Sequence, residues 1–175
     1  MKRLLLLALA APQTDEGWQA SLSTGDFRAA WSLATGLADP LRRARAEAEI
    51  RYQAGDPAGA LSAAEGGLAR APEELELLFY AGGAALWLSE AKLASAYASR
   101  LERALGQANL PADAREAWNA TARAHAEQAQ ELATKEAARD RAVSVARAVS
   151  LLGLSAALAA LYLVSRQGRS SSPVS

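Results

Sequence analysis

The sequence predicts an all-α protein: a short solenoid of about three helical hairpins, then a long C-terminal capping helix and a single transmembrane helix. Three observations lead to this fold class. No stretch alternates apolar and polar residues with β-branched content, as a half-buried strand would. Prolines and acidic residues mark helix starts at regular intervals. A pattern of small residues also recurs at about the length of one hairpin.

The composition restricts the possible functions. The 175 residues include 19 basic and 19 acidic side chains, so the formal net charge is zero and gives no electrostatic basis for nucleic-acid binding. The absence of cysteine excludes disulfides, thiolate metal sites and cysteine nucleophiles. The single histidine, His125, has no companion ligand for a metal ion. We therefore expect neither a metal nor a cofactor.

The N-terminus has the pattern of a secretory signal. Lys2 and Arg3 precede an apolar run from Leu4 to Ala11, in which Ala8-Leu9-Ala10 is a small-residue cleavage site. Eight apolar residues span only about 12 Å as a helix, which is too short to cross a bilayer. We predict a signal peptide over residues 1–10; the alternative is a cytosolic helix that begins with leucines.

Each helix of the hairpin region has a recognisable start. Asp-Pro pairs beginning at Asp39 and Asp56 supply a capping carboxylate followed by proline at the first helical position. Pro72 and Pro111 mark two further starts. The predicted helices cover residues 14–23, 26–38, 41–54, 57–70, 73–87 and 90–105, with a long helix from 112.

Three segments share one pattern of small residues. Residues 25–40 and 55–72 both begin with Gly-Asp, continue with alanines five and nine positions after the glycine, and end with proline. Residues 89–106 continue the register with Ser89 in the glycine place, so the period is 30 and then 34 residues. On these residues the chain resembles the tetratricopeptide repeat (TPR) family, over residues 11–108.

The resemblance assigns the small residues to helix packing. In TPR proteins a small residue on the first helix of a hairpin meets an alanine early in the second. By this register Ala48 is expected to pack against Ala60, and Gly82 against Ala94. Small side chains allow the close helix contacts that ridges-into-grooves packing needs.

The resemblance also implies a concave groove lined by the first helix of each hairpin. Arg42 and Arg45 would form a basic patch able to accept an acidic peptide, or else a solvated face. For Phe79, Leu86 and Trp87 the alternative is a place in the core. The groove residues implied by the register are Gln19, Leu22, Arg42, Arg45, Glu49, Tyr52, Phe79, Leu86 and Trp87.

The C-terminal third predicts a membrane anchor. Residues 109–141 form the capping and linker helix, and residues 148–164 carry no charge between Arg147 and Arg166. Seventeen such residues reach the lower limit of a membrane span, and Arg147 can snorkel. We predict a transmembrane helix over 142–165, with a buried core helix as the alternative, and a polar tail over 166–175.

Catalysis is not expected. His125 lies at helical spacing with apolar residues such as Trp118 and Ala122, so we expect it to make a helix contact with one ring nitrogen hydrogen-bonded. No phosphate-loop frame surrounds the glycine pairs at 66–67 and 82–83. The chain is therefore expected not to be an enzyme.

The layout of signal, repeats, one span and a short tail is loosely similar to bacterial envelope TPR proteins, such as the TPR subunit of the aerotolerance operon. This resemblance implies a membrane-anchored scaffold that binds other proteins, either peptide segments or subunits of a membrane complex. One alternative is a cytosolic tail-anchored adaptor, similar in layout to mitochondrial fission TPR proteins. The other is a helical ligand carrier or enzyme.

The two topology signals disagree. Lys and Arg near the span number four on the repeat side and two on the tail side, which favours cytoplasmic repeats. The signal peptide predicts periplasmic repeats and a cytoplasmic tail. We give the signal precedence because export begins at the N-terminus, before the later helix emerges.

Overall fold

The computed structural model describes residues 17–169, leaving aside the side chains of residues 148 and 151–169. The predicted signal peptide over 1–10 lies outside these residues. Every regular element within 17–169 is an α-helix, so the predicted all-α class is confirmed. The chain divides into two compact units, Met1–Ala133 and Thr134–Ser175.

The helices follow the predicted order, and their ends differ from the prediction by at most three residues. The fifth helix begins at Leu75 because Glu74 is its N-cap: the Glu74 carboxylate accepts a hydrogen bond from the Leu77 N–H at 2.9 Å. The observed elements are α1 (Gly17–Ser23), α2 (Phe27–Thr35), α3 (Pro40–Gln53), α4 (Pro57–Leu68), α5 (Leu75–Trp87), α6 (Ala91–Gln107) and α7 (Ala112–Arg169).

The turn inside each hairpin has the same backbone conformation. Gly25 and Gly55 have φ values of +80° and +81°, and Ser89, in the same place of the third segment, has a φ of 60°. A residue other than glycine in the left-handed region costs about 1–2 kcal/mol of conformational energy. The turn at Ser89 is therefore strained. The repeat seen in the sequence is therefore also a repeat of local structure.

The helices of the first unit pack as successive hairpins. Contacts join α1 to α2, α3 to α4 and α5 to α6 within the pairs, and α2 to α3, α4 to α5 and α3 to α5 between them. The Tyr97 hydroxyl of α6 donates to Glu65 of α4 at 2.8 Å, which links the second and third hairpins. Burial and this carboxylate raise the pKa of Tyr97 to about 12.

The four residues predicted to pack at helix crossings are all buried: Ala48, Ala60, Gly82 and Ala94. The neighbours of Gly82 differ from the prediction. A Cβ atom on Gly82 would lie 3.1 Å from His125 Nδ1 and 3.5 Å from Tyr97 Cβ, so these side chains, and not Ala94, lie nearest. Ala94 lies in a small cluster with Ala85 and Ala129.

The second unit contains the C-terminal part of α7. Within the described residues, no helix is long and apolar enough to cross a membrane. Most of the predicted span, 142–165, falls on residues whose side chains lie outside the described part of the chain. Just before them, Val143, Val145 and Val149 are exposed.

Two adjacent glycines of α4 provide a matched test of the packing. A Cβ atom on Gly67 would meet Leu77 Cδ1 and lie 2.9 Å from Ala44 Cβ, whereas one on Gly66 would meet nothing within 4 Å. We predict that Gly67→Ala lowers the free energy of unfolding by about 1–3 kcal/mol through overpacking. Gly66→Ala should raise it by up to about 1 kcal/mol through helix propensity. Urea unfolding followed by circular dichroism measures both, and equal effects of the two substitutions would contradict the packing.

Candidate partner-binding site

The predicted groove residues lie on α1, α3 and α5, the first helix of each hairpin, and they differ in solvent exposure. Gln19 is exposed, but Leu22 is buried in the core of the first hairpin beside Trp18. Leu22 is therefore a core residue, and its assignment to a binding surface is wrong. The other predicted residues, on α3 and α5, remain at least partly exposed.

Six rings from α3, α5 and α7 form one connected group, which we call the aromatic cluster. Tyr52 of α3 stacks on Trp87 of α5, with ring centroids 5.1 Å apart and an interplanar angle of 15°. Its ring also lies 6.2 Å from Phe79 and 5.7 Å from Tyr80. Offset stacking and edge contacts of this kind stabilise aromatic groups beyond their burial. The members are Tyr52, Phe79, Tyr80, Trp87, Trp118 and His125.

Phe79 connects the cluster to the start of α7. Its ring stacks on His125 at 5.1 Å and meets Trp118 edge-on at 6.2 Å. Sequence reasoning placed Trp118 and His125 on the apolar stripe of the long helix but did not connect them to the groove. The apolar stripe shows in the sequence that these two side chains are turned toward other helices. Only the fold shows that they contact Phe79.

The rings of the aromatic cluster differ in solvent exposure. Tyr80 is buried, Phe79 and Tyr52 are half-buried, and Trp87 is 55% exposed. The alternative that Trp87 is a core residue is therefore wrong. Gly83 makes room for this arrangement, because a Cβ atom there would lie 2.8 Å from the Tyr52 hydroxyl oxygen.

The predicted basic patch is partly neutralised within the chain. Arg45 forms ion pairs with Glu74 at 2.9 Å and with Glu76 at 3.5 Å, and its side chain is only 25% exposed. These pairs fix the guanidinium against the first turn of α5, so Arg45 does not offer a ready site for an acidic peptide. Arg42, on the same helix, is half-buried.

Carboxylates on α3 and α5 act on the buried tyrosine of the cluster. Burial raises the pKa of Tyr80 well above its usual value, and the charges of Glu49 and Glu76 raise it further. Burial alone raises the pKa of Tyr52. Both phenols therefore stay neutral at physiological pH and act as packing and hydrogen-bonding groups.

His125 is the buried polar member of the cluster. Its side chain is 5% exposed, and Nδ1 has no hydrogen-bond partner within the described part of the chain. The hydrogen bond predicted for one of the two ring nitrogens is therefore not formed by Nδ1. Burial lowers the pKa of His125, which keeps the imidazole neutral against Phe79.

No group of three or more potential metal ligands occurs within the described residues. The aromatic cluster itself comprises one exposed indole, several half-buried rings and the buried phenol of Tyr80. Aromatic residues of this kind are enriched at the centres of protein interfaces. The exposed end near Trp87 is the candidate binding site.

The buried histidine predicts a pH-dependent stability. Because the folded chain has a lower His125 pKa than the unfolded chain, protons bind preferentially to the unfolded state. Stability should be complete above the ordinary histidine pKa, near 6.5, and fall as the pH drops below it. We expect a lower melting temperature at about pH 5.5 than at about pH 7.5, measured by circular dichroism.

His125→Phe keeps a ring against Phe79 and removes the titrating group, so it is the matched variant. Its melting temperature should change much less over the same interval. The chain has no other histidine to confuse the result. An equal loss in the variant would show that the acid sensitivity arises elsewhere.

No family model matches the chain, and no curated protein or solved structure matches it either. A functional assignment therefore depends on the repeat pattern and on the geometry of the aromatic cluster. The two point to the same helices, since the cluster joins the first helices of the second and third hairpins to the helix that follows them.

Proposed function

We propose that the chain is a membrane-anchored TPR-type scaffold that binds a segment of a partner protein at the exposed end of the aromatic cluster. The observation that carries this proposal is Trp87, which is 55% exposed while stacked on Tyr52. A tryptophan held in one orientation by a neighbouring ring loses little conformational entropy on binding. It therefore makes a suitable interface anchor.

The helical arrangement supports the proposal. Three hairpins follow one another, and their turns share a left-handed residue at the same place of the repeat. The cluster lies on the first helices, which in the TPR register line the groove. Repeats of this kind present a concave surface to extended partners.

We infer that the partner contributes an apolar or aromatic side chain. The indole edge and the half-buried Leu86 beside it offer apolar surface. Arg45 is already paired with Glu74 and Glu76, so an acidic segment would have to compete with these ion pairs. Because Arg45 is held in these pairs, the apolar contact is the main source of affinity in this proposal.

The two hydrophobic segments, residues 4–11 and 148–164, support a proposal for the location of the scaffold. We propose that the signal peptide over 1–10 directs the repeats into the periplasm and that residues 142–165 form the single membrane span. The tail over 166–175 would then lie in the cytoplasm. A binding role and not a catalytic one agrees with the buried state of the only histidine.

A photo-crosslinking amino acid at position 87 tests the binding site in the full chain. We expect it to capture one predominant protein in native membranes. The same group at Leu33, which is 49% exposed on α2, should not capture it. Mass spectrometry of the adducts identifies the partner. Equal capture from both positions, or none from position 87, would rule out the cluster as the binding surface.

The alanine variants give the matching energetic test. Trp87→Ala should weaken capture by about tenfold or more, as expected for an aromatic interface anchor. Leu33→Ala should leave capture unchanged. Because it also removes the stack on Tyr52, Trp87→Ala should lower the melting temperature by about 2–5 °C, whereas Leu33→Ala should change it by less than about 2 °C. Capture that survives Trp87→Ala would place the interface on another face.

Protease protection tests the proposed topology. Protease added to spheroplasts should digest the repeats and spare an epitope fused after Ser175. The reason is that a cleaved signal followed by a stop sequence leaves the C-terminus inside. Loss of the epitope with intact repeats that retain Met1 would instead support the tail-anchored arrangement.

A further inference from the structure

A second surface lies between the two helices of the middle hairpin and shares no residue with the aromatic cluster. It is a cleft of about 390 Å³ between α3 and α4. Its charged and polar lining comprises Arg43, Glu47 and Arg51 from α3, Ser62 from α4 and Arg70 just after the end of α4, with Gly66 beside them. Three arginines and one carboxylate surround this cleft, although the chain as a whole has no net charge.

The spacing of the residues explains why they meet. Arg43, Glu47 and Arg51 recur every four residues and so lie along one face of α3. The two helices of a hairpin run antiparallel, and the approach of Gly67 to Ala44 fixes their register. The start of α3 therefore faces the end of α4, which brings Arg43 and Arg70 to the same end of the cleft.

The two arginines at this end are held by backbone carbonyl groups. Arg43 donates from Nε and Nη2 to the Leu37 carbonyl at 3.1 and 2.6 Å, and Arg70 donates from Nη1 to the Gly66 carbonyl at 2.7 Å. Within the described residues neither guanidinium forms an ion pair. Each arginine carries five N–H donors, so both keep donors for a ligand.

The opposite end of the cleft is already compensated. Arg51 pairs with Asp56 at 2.9 Å and lies over the Trp31 ring, 4.8 Å from its centroid. A hydrogen bond from the Gly59 N–H lowers the pKa of Asp56, and Arg51 lowers it further. The Arg51–Asp56 pair therefore stays charged. The guanidinium groups without an ion pair are therefore at the Arg43–Arg70 end, where the Glu47 carboxylate lies one helical turn from Arg43.

We propose that the Arg43–Arg70 end of this cleft binds a phosphate group, on a small molecule or a lipid. Guanidinium forks match phosphate oxygens in geometry and form charge-assisted hydrogen bonds with them. The space over Gly66 is open to a ligand, since a Cβ atom there would meet nothing within 4 Å. This site is independent of the partner-binding function proposed above.

Calorimetric titration of the full chain in non-ionic detergent with inorganic pyrophosphate tests the site. We expect saturable binding of one pyrophosphate per chain, at concentrations below about 10 mM in low salt. The double substitution Arg43→Gln with Arg70→Gln should weaken binding by about tenfold or more, because two charge-assisted donors are lost. Replacing Arg28 and Arg103, two exposed arginines outside the cleft, removes the same charge and should change affinity less than about twofold.

Gly66→Leu provides a variant that keeps every charge. Its side chain should fill the open space over residue 66 and weaken pyrophosphate binding while the helix remains intact. Circular dichroism confirms the folding of each variant. No saturable binding by the wild-type chain, or equal weakening by the two arginine pairs, would overturn the proposal.

Two further probes distinguish the sources of the phosphate. Glycerol phosphate and a short-chain phosphatidic acid below its micelle concentration carry the same phosphate monoester. Equal affinities, both lost in the Arg43/Arg70 variant, would identify a water-soluble phosphate ester as the ligand. Tighter binding of the lipid, again lost in that variant, would identify a phospholipid headgroup. Binding of the lipid that is unaffected by the variant would count against the site.

Discussion

Close approach of helix backbones at small residues is the constraint on which the rest of the first unit depends. Gly67 leaves no room for a methyl group between Leu77 and Ala44, and Gly82 lies against His125. Because packing in protein interiors is dense, such positions fix the register of one helix against the next. With few large apolar residues available, this close contact substitutes for a bulky core.

The same constraint shapes the proposed binding surface. Gly83 allows the Tyr52 hydroxyl to lie directly over α5, and Tyr52 in turn holds the exposed Trp87 by stacking. A larger residue at position 83 would displace Tyr52 and leave Trp87 without its neighbour. Packing and the proposed recognition site are thus coupled through one glycine, and the orientation of the indole is set within the fold before a partner arrives.

The middle hairpin carries two surfaces with different chemistry. The aromatic cluster offers apolar contact, since Arg45 nearby is neutralised by Glu74 and Glu76. The cleft between α3 and α4 offers guanidinium groups held by backbone carbonyls. The two surfaces share α3 but no residue, so a scaffold of this kind could hold a protein segment and a phosphate group at once.

Local chemistry in the sequence determined the helices, since an acidic N-cap with a following proline, or a glycine turn such as Gly55, acts within a few residues. It also placed Tyr52, Phe79 and Trp87 on first helices. Burial was decided only by tertiary packing. Leu22 is buried in the core, and Arg45 pairs with Glu74 and Glu76 at the start of α5. These outcomes depend on the angle and register of neighbouring helices. Such long-range contacts leave no local pattern in the sequence, so the link between Phe79 and His125 became visible only in the fold.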